Sequence, residues 1–142
     1  MTTAAGTDAA VRAPGSTADR IGRWLMGLQA VATLFAIAGG IRLMSTADDD
    51  RLWIEGWRTT AYVVFAGLFL LLAVRPRAVG GIWELVFAQK LAVTVYAAVI
   101  GDVPEARLDG LTDFFLVLLT GTAYVLCRGW EGWRTPRLST HP

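Results

Sequence analysis

The chain has 142 residues, 54% hydrophobic and 18% charged, with a formal net charge of +1 and a mean hydropathy of +0.47. That charged fraction is below what a soluble domain carries on its surface, and near-neutrality leaves no basic footprint for nucleic acid. A single cysteine, Cys127, and a single histidine, His141, exclude an intrachain disulfide and a CxxC motif; with them goes any ordinary ligand set for haem, zinc or iron, so no cofactor and no metal is expected.

Residues 1–19 are small and polar, a composition that buries no core, and they read as a disordered tail. Residues 24–41 form the first run without a charge, 18 residues flanked by Arg20, Arg23 and Arg42. That length supports one membrane span with snorkelling ends, placed at about residues 22–44. A signal peptide is the alternative, because Ala36-Ile37-Ala38 has a small-x-small cleavage pattern. The long leader and the apolar run beyond that point favour a retained helix. Residues 44–58 read as a polar connection in which Trp53 and Trp57, four apart, mark an interfacial stretch lying on the membrane surface.

The second span is expected at residues 57–74, where Arg75-Pro76-Arg77 stops the helix. The third covers residues 82–101 and the fourth residues 111–128, with a polar tail from 129 to 142. The expected fold is therefore all-α: an integral membrane bundle of four transmembrane helices, its domain covering residues 20–128. With both termini on one side, that side carries Arg12, Arg20, Arg23, Arg75, Arg77, Arg128, Arg134 and Arg137, eight against Arg42, Arg51, Arg58 and Arg107. The acidic residues divide four against eight in the opposite sense. A Lys/Arg excess marks the cytoplasmic side, so both termini are expected in the cytoplasm of a cell inner membrane. The pentapeptide Glu-Gly-Trp-Arg-Thr occurs at residues 55–59 and again at 131–135. The two copies fall on opposite sides of the membrane, which fits reuse of interfacial chemistry better than duplication.

Lys90, the only lysine, carries the strongest functional signal. It lies eight residues into the third span, about 12 Å deep, where an ammonium costs about 2.5–3.5 kcal/mol on insertion scales. Trp83, Phe87, Thr94 and Ala97 share its helical face. Gln29, Thr33, Thr120 and Thr122 lie at similar depth on other spans and would complete a polar layer; their alternative role is interhelical hydrogen bonding. Glu84 is six residues before Lys90 and points elsewhere on the helix, toward a salt bridge with Arg75 or Arg77 or an acid–base role. Asp113 stands near the start of the fourth span, where a capping carboxylate is favoured. The candidate catalytic residues are thus Lys90, Glu84 and Asp113, and the candidate ligand-binding residues Gln29, Trp83, Phe87, Thr94 and Thr120. Gly39, Gly40, Gly67 and Gly121 are expected to permit close helix approach.

The first helix ending Ala38-Gly39-Gly40-Ile41-Arg42, the short turn at residues 75–77 and the total length make the chain similar to small bacterial DoxX-like membrane proteins. That resemblance implies a compact four-helix membrane bundle, in some members tied to redox or quinone-linked partners, and transfers no active-site residue. Lys90 inside a span departs from the family pattern. Three functions remain open from the residues: a site for a lipophilic small molecule anchored by Lys90, with metal-free acid–base chemistry; an accessory or scaffold subunit with a membrane-protein partner; and a small transporter or channel acting as a homo-oligomer.

Overall fold

The computed structural model describes residues 16–101 and 103–134. Four α-helices follow one another: α1 (Thr17–Met44), α2 (Asp49–Val74), α3 (Ile82–Ile100) and α4 (Pro104–Cys127), with a short 3-10 helix at Gly129–Trp133. All four are long and apolar enough to cross a membrane. Short connections make sequential helices antiparallel neighbours. α1 packs on α2 and α4, α4 packs on α3, and α2 and α3 touch only lightly. The bundle is therefore a ring of four with one thin seam. We call the end where α1 starts and α4 stops the terminal end.

The helices run further than their charge-free segments. Ser16 caps α1 by accepting from the Asp19 N–H, so residues 17–19, expected in the tail, form its first turn; the rest of that tail lies outside the described residues. α2 begins at Asp49 and absorbs the stretch expected to lie flat as a connection. Its acidic first turn suits the helix dipole, and Glu55 accepts from Arg51 at 3.2 Å and from Arg58, each within one helical turn. α4 begins with Pro104 at its first position and Glu105 in its first turn, well before the expected start near residue 111. Charge near a helix end does not stop a helix, because the backbone ladder is indifferent to side-chain polarity.

Three glycines set close crossings, the first being Gly22, where a Cβ would stand 2.5 Å from Cys127 Sγ and join α1 to α4. A Cβ on Gly40 would collide with the Thr59 side chain, joining α1 to α2, and one on Gly110 would stand 2.6 Å from Ala97 Cβ, joining α4 to α3. Gly39 and Gly67, expected to serve such crossings, have open space around them, and Gly121 makes only an ordinary approach to Phe87.

The interior is divided along its length. The terminal half holds the apolar core of Met26, Phe69, Leu72, Trp83, Val86, Ala123 and Cys127. At its rim Asp19, buried, accepts from Arg23 at 2.8 Å and from Arg77 at 2.6 Å, and Arg77 also donates to the Cys127 carbonyl. This clasp ties α1, the α2–α3 connection and the end of α4. Residues 129–133, expected within the polar tail, instead fold back as the 3-10 helix, with Trp130 edge-on to Tyr124 at 5.7 Å. The remainder of that tail, from residue 135, lies outside the described residues. In the opposite half the buried side chains include Thr33, Glu55, Thr59, Lys90 and Asp113.

The repeated pentapeptide has no common structure. Its first copy is regular helix with Glu55 buried, while Glu131 of the second is 3.5 Å from Arg77 and 2.8 Å from Arg128.

Candidate functional site

Lys90 sits ten residues from the end of α3 and Asp113 nine residues from the start of α4, so both lie about 14–15 Å from the end opposite the termini. The Ala97–Gly110 crossing brings the two helices together in antiparallel register, and the long lysine chain covers the remaining distance. Lys90 Nζ is 2.8 Å from Asp113 Oδ1 and 4.3 Å from the centroid of the Phe65 ring on α2. Lys90 is 6% exposed and Asp113 8%. A single ammonium is thus held between a carboxylate and an aromatic face, two of the few environments that stabilise it away from water. Asp113 is not a helix cap: Val103 holds that position, and the carboxylate sits mid-helix facing inward.

The pair is not sealed. It lies on the wall of a cleft of about 270 Å³ to which all four helices contribute: Thr33 from α1, Arg58, Tyr62 and Phe65 from α2, Gln89 from α3, and Asp109 and Thr112 from α4. Arg58 stands at the outer mouth, 3.9 Å from Asp109, and its Nε is buried without an acceptor. The thin α2–α3 seam is one edge of the cleft, with the exposed side chain of Gln89 on its lip.

The other expected site residues are distributed elsewhere. Gln29 does not meet Lys90. Its carbonyl oxygen accepts from Thr120 Oγ1 at 3.1 Å and its amide approaches Met26 Sδ, while Thr33 donates to the Gln29 backbone carbonyl. Of the expected polar layer only the Gln29–Thr120 bond joins two helices, α1 and α4, below the Lys90–Asp113 pair; Thr33 bonds within α1, and Thr122 is exposed and donates to the Leu118 carbonyl within α4. Trp83, Phe87 and Thr120 line a second cleft of about 360 Å³ with Glu84 and Tyr124, nearer the terminal end. Trp83 is fully buried and donates to the Pro76 carbonyl at 2.6 Å. Glu84 is held by Tyr124 Oη at 2.9 Å and Trp133 Nε1 at 3.0 Å, while Arg77, expected as its partner, is taken up by Asp19 and Glu131. Thr94 donates to the Lys90 carbonyl and lines a third, shallow cleft beside Ala97. Among the described residues, no three or more His, Cys, Asp or Glu side chains converge as a metal site would require.

Of the three expected catalytic residues, two come together and Glu84 does not. Phe65, Tyr62 and Arg58 were not expected at the site, and Gln89, next to Lys90 but about 100° away around the helix, reaches the cleft only at its lip. Phe65 and Tyr62 are aromatic residues in an apolar helix, and nothing in the sequence separates them from lining.

No family model, curated protein or solved structure matches the chain.

Proposed function

We propose that this is a small polytopic protein of a cell inner membrane, with both termini cytoplasmic, whose cleft binds or acts upon a lipophilic small molecule through Lys90 and Asp113. The observation that carries this reading is that a buried ion pair borders an open cleft instead of packed side chains. Stability alone gives no account of the pair, since a buried salt bridge is seldom better than an apolar replacement of similar volume. Inside a bilayer an ionisable group is costlier still and marks a working site. The chemistry the side chains offer is acid–base. Lys90 can hold a carbonyl oxygen and stabilise negative charge developing there, while Asp113 accepts a proton from the adjacent carbon or hydroxyl. Four apolar helices are what the proposed resemblance to DoxX-like membrane proteins calls for.

Mass spectrometry of lipophilic compounds retained by the detergent-purified protein tests this. The wild type is expected to retain a compound that the variant Lys90→Met/Asp113→Leu, which removes both charges, releases. Identical retained compounds in both would sink the proposal.

A second reading, as an accessory subunit, draws on Gln89, an exposed amide midway along α3 that a partner helix would cover. Co-purification of one stoichiometric protein, lost in Gln89→Leu, would favour it.

A further inference from the structure

Resting on that reading of the cleft, we infer that its ligand is an uncharged amphiphile whose head carries both a hydrogen-bond acceptor and a donor, as in a primary fatty amide, and that it arrives from the bilayer through the α2–α3 seam. The charge pattern of the walls selects against ions. Each cation on the wall already faces a carboxylate: Lys90 is 2.8 Å from Asp113, and Arg58 is paired with Glu55 and 3.9 Å from Asp109. An incoming carboxylate would meet Asp113 and Asp109, and an incoming ammonium would meet Lys90 and Arg58. Either would leave a net charge unmatched in a largely apolar cavity.

The hydrogen-bonding inventory points the same way. Lys90 has three N–H donors, of which Asp113 takes one and the Phe65 face occupies another direction. Lys90 therefore keeps a spare donor for a carbonyl oxygen. The second oxygen of Asp113 and the carbonyl of the Gln89 amide offer acceptors for an N–H or O–H on the same head. The outer mouth is charged, with Arg58 and Asp109 beside it, whereas the seam is bordered by Phe65 and Val93 and is polar only at its lip, so the seam is where an alkyl chain is accommodated. α2 and α3 are the neighbouring helices that touch least, so an alkyl chain can remain in lipid between them while the head reaches the pair.

The test is native mass spectrometry of the full chain with three probes of one chain length: oleamide, oleate and oleylamine. The wild type is expected to bind oleamide about tenfold more tightly than either ion, a difference of ~1.4 kcal/mol. Asp113→Asn leaves Lys90 as an uncompensated cation and is expected to turn the preference to oleate. Lys90→Met/Asp113→Leu, which removes both charges, is expected to retain none of the three above background and serves where a single variant fails to fold. Val93→Trp, which blocks the seam, abolishes uptake of all three. Tighter binding of oleate or oleylamine by the wild type, still abolished by Val93→Trp, overturns the ligand class and leaves the site. Equal uptake by the wild type, Val93→Trp and the double variant, or no uptake by any, overturns the site as well.

Discussion

Lys90 is the chain's one lysine, and its ammonium is balanced by a single carboxylate. Removing one partner leaves the other buried and uncompensated, which costs about 3–5 kcal/mol, whereas removing both costs little. Lys90→Met and Asp113→Leu are each expected to lower the thermal midpoint in detergent, and the double variant to recover most of it. A double variant as unstable as the sum of the singles would mean that the two side chains do not form one unit. Lys90 was legible in the sequence because a charge in an apolar run stands out. The role of Asp113 was not, because counting from the last charge placed it near the start of a helix that begins nine residues earlier.

At the scale of the elements, the helices outrun the apolar segments that identify them. Hydropathy registers where side chains change solvent, while a helix ends where its backbone hydrogen bonds do, at Pro76 after α2 or at Gly101 after α3. The glycines make the same point. Gly40 and Gly110 sit where a Cβ would collide with the Thr59 side chain and the Ala97 Cβ, and Gly27 and Gly67 face open space. Gly110→Val is expected to push α4 off Ala97 and cost several kcal/mol by overpacking. Gly67→Ala, with the same backbone and no neighbour, is expected to be neutral or to stabilise by up to about 1 kcal/mol. Comparable losses from both, read as thermal midpoints in one detergent, would contradict these crossings. Sequence lists the glycines; only the packing says which of them face a neighbour.

Across the whole molecule, the bundle differs on the two sides of Lys90. Below Lys90 lie the Gln29–Thr120 bond, the apolar plug around Met26, Phe69 and Trp83, and the Asp19–Arg77 clasp. Above it is the cleft with Arg58 and Asp109 at its mouth. In sealed vesicles a membrane-impermeant amine reagent is expected to modify Lys90 only from the side opposite the termini, with Asp113→Asn increasing the yield. Modification from the terminal side would show that the plug opens.

Composition and period carry four apolar helices, their approximate places, the excess of arginine at the terminal end, and the anomaly of Lys90. These are properties of single segments against a solvent. The tertiary structure decided which polar groups meet. Whether Lys90 pairs with Gln29 or Asp113, and whether Glu84 belongs to its site, depends on helix rotation and antiparallel register, which close contacts such as Ala97–Gly110 and Gly40–Thr59 set. A shift of one residue rotates a helix by about 100°, enough to turn either pairing away, and no segment read alone contains that angle.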